Sequence, residues 1–219
     1  MGTHVENIGY LAIPSSGSGP GVVVLQEWWG LVPHIESLAD RFAEAGYVAL
    51  APDLYNGTTT TAPDEAQRLL MTLNIEQTAR DLQAAADFLL NHEAVNGGRI
   101  GIVGFCMGGQ LALLAATVSQ SYGAVVDFYG IHPNVTLDFD KLKVPVLGIF
   151  GEKDSSVPPD VVQALETNIR NAGGAIETHT YPNANHAFFN DSRPEVYNPT
   201  AAKDAWERTL TFLNDRISA

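Results

Sequence analysis

Residues 99–109 read Arg-Ile-Gly-Ile-Val-Gly-Phe-Cys-Met-Gly-Gly, which predicts an apolar strand that turns directly into a helix. At the turn, Gly104 and Gly108 flank Cys106, the pattern of a nucleophile elbow with cysteine where serine is commoner. A residue on so sharp a turn is strained, and glycines at these two positions remove side chains that would collide. The N-terminus of the following helix favours a thiolate at the turn. The alternative interpretation is a buried, unreactive cysteine, since free cysteine is among the most buried residue types.

An elbow nucleophile takes its acid and its histidine from later turns of the chain, the acid first. Asp154 and His186 each follow a predicted strand, so both belong to the carboxyl edge of the sheet, where open α/β sheets build their sites. We expect His186 to act as the base and Asp154 to orient it. Two alternatives stay open. In the first, Asp154 caps the helix that begins near Pro158 and Glu152 is the acid. In the second, His186 is an ordinary loop residue.

The turn Gln26-Glu27-Trp28-Trp29-Gly30 ends the first long apolar strand. In a fold with such an elbow this turn supplies one backbone N–H to the oxyanion hole, so we expect the N–H groups of Trp28 and Met107 to be the two donors. Glu27 stands between an apolar strand and two tryptophans, where a carboxylate is poorly solvated and needs a partner. The alternative is a solvent-exposed turn acid, because glutamate is rarely fully buried.

Short apolar runs alternate with amphipathic stretches along the chain, which is typical of strand–helix units around a buried parallel sheet. The predicted fold class is therefore α/β, with a mostly parallel central sheet flanked by helices on both faces. The predicted strands are Gly21–Gln26, Tyr47–Ala51, Arg99–Gly104, Ala124–Tyr129, Val144–Phe150 and Ile176–Tyr181, with a weaker edge strand at Gly9–Ile13. The predicted helices are His34–Ala45, Ile75–Leu90, Met107–Ala116, Pro159–Ala172 and Ala201–Leu213. Gly46 is a stop signal for the first helix, and Thr58–Thr61 is predicted to be a polar loop.

Length and charge bound the remaining possibilities. A chain of 219 residues without a linker-like stretch fits one domain, residues 1–219. Twelve basic and twenty-five acidic residues give a net charge of −13, which disfavours nucleic acid and anionic membranes as partners. No apolar run approaches the roughly 20 residues that span a bilayer. Met1–Pro14 lacks the pattern of a signal peptide, so we expect a cytoplasmic protein, a monomer or a weak dimer.

Cysteine and histidine usage bears on disulfides and metals. The chain has one cysteine, so no intrachain disulfide is possible. The six histidines show no spacing typical of metal ligands, so neither a metal nor another cofactor is expected. His34, at a predicted helix start, and His132, in a loop before Pro133, are interpreted as structural residues.

Taken together, these segments resemble the dienelactone hydrolase family of α/β-hydrolases. The similarity extends from Val22 to Leu213 and includes the Gln26-Glu27 turn, Ala51-Pro-Asp-Leu-Tyr55, the elbow, Asp154 and His186-Ala-Phe188. The resemblance implies that Cys106 attacks a lactone carbonyl to form an acyl-thioester, which water then hydrolyses, with His186 as base and Asp154 as the orienting acid. It also implies that Glu27 helps to deprotonate the thiol when substrate binds, and that Tyr129 lines the substrate pocket.

The sequence departs from the family where a substrate carboxylate would bind. Family members hold this carboxylate with two arginines, one before the long central helix and one four residues after the histidine. At the first position this chain has Pro63 or a neighbour, with Arg68 the nearest arginine. At the second it has Asn190, with Arg193 the nearest replacement. We expect an anionic substrate to depend on Arg193 or Arg68, because a protein of net charge −13 must offset its own field at such a site.

The sequence thus predicts a carboxylic ester hydrolase that resembles carboxymethylenebutenolidase and acts on a small-molecule ester or lactone. A thiolate is a good leaving group and is expelled again when the competing leaving group is an amine, so esters and enol-lactones suit this elbow better than amides. One alternative is a general carboxylesterase or thioesterase without a preference for dienelactone. Another is a non-catalytic relative that binds a small molecule, which the presence of nucleophile, acid, base and elbow glycines disfavours.

Overall fold

The computed structural model describes residues 1–217, in which an eight-stranded sheet is packed between helices. Ser218 and Ala219, the last two residues of the predicted domain, lie outside the described residues. The strands are β1 (Thr3–Val5), β2 (Gly9–Ala12), β3 (Gly19–Leu25), β4 (Val48–Pro52), β5 (Val95–Phe105), β6 (Tyr122–Phe128), β7 (Val146–Gly151) and β8 (Ile176–Tyr181). The helices are α1 (Pro33–Glu44), α2 (Pro63–Thr72), α3 (Ile75–Leu90), α4 (Met107–Val118), α5 (Pro159–Asn171) and α6 (Pro199–Ile217), with a 3₁₀ helix at Phe139–Lys141. None of the described helices combines the length and the apolar character needed to cross a membrane.

The order of the strands in the sheet is β1-β2-β4-β3-β5-β6-β7-β8. β1 pairs with β2, and β2 with β4, in the antiparallel sense, whereas the six strands from β4 to β8 run parallel to each other. The predicted fold class, α/β with a mostly parallel sheet, is confirmed. β5 lies between β3 and β6, so the turn that follows β5 is in the middle of the carboxyl edge.

The central strands are apolar throughout because alternate side chains enter two separate hydrophobic layers. In β3, Val22 and Val24 pack in the layer formed with α1 and α6. Val23 and Leu25 pack in the layer formed with α3 and α4. All four side chains are fully buried. Burial on both faces therefore holds β3 and its neighbours in place, and their ends form a rigid edge.

Three elements lie where the sequence predicts none: α2, β1 and the 3₁₀ helix at Phe139–Lys141. α2 fully buries only Ala66, and its Leu69 and Leu70 pack against the core while partly exposed. Its start was nevertheless marked by Pro63 and by two acids in the first turn. β1 is an exposed edge strand of three residues, too short to show an alternating pattern. The other predicted elements are observed with ends shifted by at most four residues.

The carboxyl ends of the parallel strands bring the candidate site residues to one edge of the sheet. Five strands are each followed by one of them: Glu27 after β3, Cys106 after β5, Tyr129 after β6, Asp154 after β7 and His186 after β8.

Candidate active site

Cys106 occupies the sharp turn between β5 and α4. Its backbone has φ 55° and ψ −118°, in a region that L-residues rarely adopt. The Cys106 N–H donates to the carbonyl of Phe128 at 2.9 Å. The Cys106 carbonyl accepts from the N–H of Gly109 at 3.0 Å and from the N–H of Ile131 at 3.1 Å. The half-buried cysteine is therefore held by the turn after β6 as well as by its own helix.

Gly104 and Gly108 are required at this turn because backbone atoms occupy the space of a side chain. A Cβ at Gly104 would overlap the carbonyl of Gly108. A Cβ at Gly108 would lie 2.6 Å from the carbonyl oxygen of Gln26 and 2.7 Å from that of Leu25. A backbone carbonyl cannot move aside as the tip of a flexible side chain can. Any larger residue at these positions therefore displaces the strand or the helix that positions Cys106.

Asp154 is buried in the turn after β7 and accepts three hydrogen bonds. Its Oδ1 accepts from the N–H of Ser156 at 2.7 Å and from the N–H of Val157 at 3.0 Å. Its Oδ2 lies 2.7 Å from Nδ1 of His186. Burial is the largest single effect and raises the pKa of the Asp154 carboxyl, but His186 and the two N–H groups together lower it below its ordinary value. The group is thus a carboxylate that holds the Nδ1 proton of His186 and fixes its tautomer.

Asp154 and Glu152 are the two candidates for the acid, and their surroundings in the structure differ. α5 begins at Pro159 and its N-cap residue is Pro158, so Asp154 does not cap that helix. Glu152 is exposed, and its Oε2 accepts a hydrogen bond from the N–H of Asn183 at 3.0 Å. The carboxylate beside the His186 imidazole is therefore that of Asp154.

His186 connects Asp154 to the cysteine. Its side chain is 24% exposed and also interacts electrostatically with the side chain of Cys106. Burial is the largest single effect and lowers the pKa of His186, but the interactions with Asp154 and Cys106 together raise it to about 10. The negative charges of Asp154 and of an ionised Cys106 thus stabilise the imidazolium that forms when the thiol proton passes to His186.

Glu27 is only 2% exposed, so its interpretation as a solvent-exposed turn acid is wrong. Its Oε2 accepts a hydrogen bond from Nδ2 of Asn190 at 2.7 Å. Its Oε1 has no hydrogen-bond partner among residues 1–217. Asn190 belongs to the loop that follows His186, and its Oδ1 in turn accepts from the Ser192 hydroxyl at 2.6 Å. Glu27 is thus a buried carboxyl with one oxygen bound and one available.

A second hydrogen bond, between α1 and the loop that follows His186, lies next to the Glu27–Asn190 bond. Nδ1 of His34, a buried residue of α1, is 3.2 Å from Oδ1 of Asp191. Burial is the main effect and lowers the pKa of His34, whereas Glu27 and Asp191 act in the opposite direction. Two adjacent residues of the histidine loop, Asn190 and Asp191, therefore bind the segment after β3 at two points. We refer to the Glu27–Asn190 and His34–Asp191 bonds as the double tether.

Two backbone N–H groups at this edge are free to bind an oxyanion. The N–H groups of Trp28 and Met107 donate to no acceptor within the part of the chain that the structure describes. Met107 is the first residue of α4, and the first N–H groups of a helix have no intrahelical acceptor. The turn that carries Trp28 adjoins α4, because Gly108 packs against the carbonyl of Gln26.

A cavity of about 570 Å³ adjoins the double tether, since His34 and Asn190 both line it. Arg193 lines it as well, with its guanidinium 5.8 Å from the centre of the Trp29 ring. Arg68 lies instead on the exposed surface of α2, where its Nε donates to Glu65 at 2.9 Å. Within residues 1–217 the lining of this cavity does not include Arg68. The structure therefore brings one of the two predicted arginines to the cavity.

Tyr129 lies beneath the site and is only 1% exposed. Its backbone has φ 43°, and its ring centroid is 5.0 Å from that of His186. Burial raises the pKa of Tyr129 well above its ordinary value, Glu27 and Cys106 raise it further, and Arg193 acts in the opposite direction. The Tyr129 hydroxyl is thus within electrostatic reach of the elbow and of the cavity, although its ring is packed in the core.

Several residues that line the cavity or bind Glu27 were not among the predicted site residues. His34, interpreted as structural, lines the cavity, as do Thr60 and Thr61 of the predicted polar loop. Asn190 binds Glu27. The available signal was the polar run Asn190-Asp-Ser192, which directly follows two buried phenylalanines. Within residues 1–217, no three His, Cys, Asp or Glu side chains are arranged to hold a metal ion.

A cysteine elbow in the middle of a mostly parallel sheet, with an acid and a histidine on later turns of the same edge, is the arrangement of the α/β-hydrolases. The comparison with known families agrees with this class and narrows it. The dienelactone hydrolase family matches residues 8–217, and the chain belongs to that family.

Relatives match over nearly their whole length. The protein named usf from Aquifex pyrophilus is 35% identical over 217 residues, which cover 96% of this chain and 94% of usf. A protein of Aquifex aeolicus, named as a candidate carboxymethylenebutenolidase, is 34% identical over 212 residues, which cover 94% of this chain and 91% of the relative. The crystal structure of a candidate dienelactone hydrolase from Klebsiella pneumoniae has 33% identity and a TM-score of 0.84, with 93% and 91% of the two chains covered. The protein is accordingly a carboxylic ester hydrolase of the dienelactone hydrolase type, acting on esters or lactones.

Proposed function

We propose that the protein hydrolyses its ester or lactone through an acyl-thioester on Cys106, with His186 as the base and Asp154 as the carboxylate that orients it. The observation that carries this proposal is that His186, held by Asp154 at 2.7 Å, interacts on the same edge of the sheet with the side chain of Cys106 at the elbow. A free thiol with a pKa of about 8.5 is only a few per cent ionised at neutral pH, so it needs a base of this kind.

The first half-reaction transfers the acyl group to the enzyme. His186 takes the thiol proton, and the sulfur of Cys106 forms a bond to the carbonyl carbon. The carbonyl oxygen becomes an oxyanion, to which the N–H groups of Trp28 and Met107 donate, each contributing roughly 3 kcal/mol to lowering the barrier. The C–O bond then breaks, and the leaving oxygen takes the proton from His186. In a lactone this oxygen stays attached to the acyl chain.

The second half-reaction returns the enzyme to its starting state. His186 removes a proton from a water molecule, whose oxygen attacks the thioester carbonyl. The C–S bond breaks, the acid product leaves, and the thiolate regains the proton held by His186. Asp154 stays ionised in both halves, and its charge stabilises the imidazolium that forms in each.

Glu27 has an auxiliary role in this proposal. Its unpartnered Oε1 is able to accept the thiol proton or a hydrogen bond from a bound substrate. In this role Glu27 assists the transfer of the thiol proton once substrate has entered the site.

The test of the proposal compares the parent with Cys106→Ala. We expect Cys106→Ala to lose at least about 10³-fold in kcat/KM on its best ester while its circular dichroism is unchanged. Acid quenching during turnover, followed by intact-mass spectrometry, should show the acyl mass on the parent and not on the alanine variant. Alanine turnover within about tenfold of the parent would overturn the assignment of the nucleophile.

The finer proposal concerns the substrate, which we infer to be an anionic lactone such as a carboxylated enol-lactone held by Arg193. The support for it is a cation, in a strongly acidic protein, at a cavity that adjoins the double tether and so the residue that binds Glu27. Arg193→Ala should raise KM for an anionic lactone about tenfold and leave KM for a neutral ester unchanged. Arg68→Ala is the matched control, because this arginine is also paired with a glutamate but lies on the exposed face of α2.

A general carboxylesterase or thioesterase is the second candidate, and it is favoured by Asn190 at the position where family members have an arginine. A panel of anionic lactones, neutral acyl esters and acyl thioesters separates the two candidates. Equal kcat/KM values on anionic and neutral substrates, unaffected by Arg193→Ala, would support the second one.

A further inference from the structure

Asp127, near the end of β6, is a carboxyl group that the proposed reaction does not use. It is fully buried, and neither of its oxygens has a hydrogen-bond partner in the described part of the chain. Nearly all buried polar groups in proteins are paired, so a carboxyl without a partner is kept in spite of its cost. Such an exception to the usual rules points to a role at a nearby site.

The Asp127 carboxyl fills the space between two segments. One is the first turn of α4 and the other is the turn that follows β6. A Cβ added at Gly109, in α4, or at Gly130, in the turn, would overlap Oδ1 of Asp127. The two glycines therefore leave room for this carboxyl, which acts as a spacer between helix and turn.

The same two segments hold the backbone of Cys106. The Gly109 N–H donates to the Cys106 carbonyl from the helix, and the Ile131 N–H donates to it from the turn. The Cys106 N–H donates to the carbonyl of Phe128, the residue that follows Asp127. A change in the spacing between helix and turn is therefore passed directly to the backbone of the cysteine.

No cation in the neighbouring elements of the described chain compensates a charge on Asp127. α4 and β7 have no titratable side chain, and β5 and β6 carry theirs, Arg99 and Tyr122, far from Asp127 along the strands. The titratable groups at the Asp127 end of these elements are Cys106, Tyr129 and His132. Burial lowers the pKa of His132, so this residue is uncharged at neutral pH. Burial raises the pKa of Asp127 to about 7, and the N–H of Gly130, which is near but not in hydrogen-bonding geometry, offsets only part of that rise.

We propose that Asp127 is a positioning residue of the elbow, whose neutral carboxyl sets the distance between α4 and the turn after β6 and so the position of the Cys106 side chain against His186. When the carboxyl loses its proton, an unpartnered negative charge must be accommodated there, and the spacing changes. The charge also opposes thiolate formation at the start of α4. Cys106 then reacts more slowly. This inference rests on the proposed role of Cys106.

The test uses two variants of Asp127. Asp127→Asn keeps the shape of the spacer but cannot ionise, and Asp127→Ala removes the spacer. We measure kcat/KM on a neutral ester from pH 5.5 to pH 9, together with the rate at which iodoacetamide alkylates Cys106. The ratio of the asparagine variant to the parent should rise about threefold or more between pH 6 and pH 8 in both assays, because only the parent acquires the charge. The alanine variant should be about tenfold slower in kcat/KM across the whole range.

A purely structural Asp127 would not produce this pH dependence. A ratio that stays flat with pH in both assays overturns the proposal, and so does an alanine variant that is as fast as the asparagine variant. If the alanine variant does not fold, the pH dependence of the asparagine ratio decides alone. The alkylation assay also separates this inference from the proposed function. Should Cys106→Ala remain active, the nucleophile is misassigned, yet the alkylation ratio still reports whether Asp127 controls the thiol.

Discussion

The carboxyl ends of β6 and β7 each bury an aspartate, and the two carboxyl groups are held in opposite ways. Asp154 is 2% exposed and Asp127 is 0% exposed, so both carboxyl groups are shielded from solvent. Asp154 accepts three hydrogen bonds, and its pKa lies below the ordinary value. Asp127 accepts none from residues 1–217, and burial raises its pKa to about 7. Hydrogen bonds and the charge interaction with His186 therefore keep the Asp154 carboxyl ionised, whereas burial without such partners raises the pKa of Asp127.

The difference follows from where each aspartate stands on its strand. Asp154 comes after β7, and the turn that follows it brings the N–H groups of Ser156 and Val157 back to its carboxylate. Asp127 is still within β6, between two paired strands, where backbone N–H groups are used by the sheet. A carboxyl group one residue inside a strand thus loses the local donors that a turn provides.

The largest expected effect is the loss of catalysis when the partnered aspartate is neutralised. Asp154→Asn should lower kcat about 10³- to 10⁴-fold, because His186 loses the charge that fixes its tautomer and stabilises its protonated form. Steady-state kinetics on the best ester check this. Glu152→Gln is the matched control, since Glu152 is an exposed acid two residues away and should leave kcat within about twofold. If Glu152→Gln is the damaging change, the acid has been assigned two residues too late.

The second prediction concerns the free energy of unfolding, on which neutralising Asp127 is expected to have a smaller, stabilising effect as the pH rises. Asp127 has a raised pKa in the folded protein, so the folded state loses stability as the pH rises from about 4, the unfolded pKa, to about 7. Asp127→Asn removes this loss. The free energy of unfolding of the variant, relative to that of the parent, should increase by about 2 to 3 kcal/mol between pH 5 and pH 8.

Urea denaturation at both pH values measures this difference, and comparing the two pH values cancels any fixed cost of the amide. Asp154→Asn is the internal contrast. The lowered pKa of Asp154 contributes stability that is present above pH 4 and is lost as the pH falls, so this variant should be less stable than the parent at neutral pH. An Asp127→Asn variant whose stability relative to the parent does not increase between pH 5 and pH 8 would contradict the comparison of the two aspartates.

The smallest effect is expected at Glu27. Its carboxyl is intermediate between those of Asp154 and Asp127, because one oxygen accepts a hydrogen bond and the other does not. Glu27→Gln should lower kcat about tenfold if the free oxygen assists proton transfer from the thiol. Iodoacetamide alkylation of Cys106 in the variant should occur at the same or a lower pH than in the parent, since a nearby negative charge is removed. A variant with parental kcat and an unchanged alkylation profile would make Glu27 a structural residue that binds Asn190.

Much of the fold could be predicted because its determinants are local. The doubly buried strands appear as apolar runs, and Gly46, with φ 98°, marks the end of α1. α2 was missed although its signals were present, with Pro63 at the start, two acids in the first turn and Leu69 and Leu70 on the side that packs against the core. The direction of β2 was not predictable, since a short apolar run looks the same in parallel and antiparallel pairing.

The residues of the candidate site could be predicted where they follow the end of a strand. Cys106, Asp154 and His186 each follow a strand, and parallel strands bring their carboxyl ends together. The partner of Glu27 was not predictable, because Asn190 is 163 residues away and its position depends on how the histidine loop folds. Asp127 carried a signal that was not used, a single acid within an otherwise apolar strand.

The double tether has a consequence for how relatives of this protein can diverge. Because two adjacent loop residues bind Glu27 and His34, an insertion between Asn190 and Asp191 would change their spacing, so that both bonds could no longer form together. The opposite wall of the cavity is held differently, by the N–H of Thr60 donating to the carbonyl of Trp29 at 3.0 Å. A backbone bond of this kind is indifferent to the side chain, so residues 58–61 can be exchanged without loss of anchoring. In relatives, substitutions that change substrate preference are therefore expected first in residues 58–61. The loop that contains Asn190 and Asp191 should keep its length.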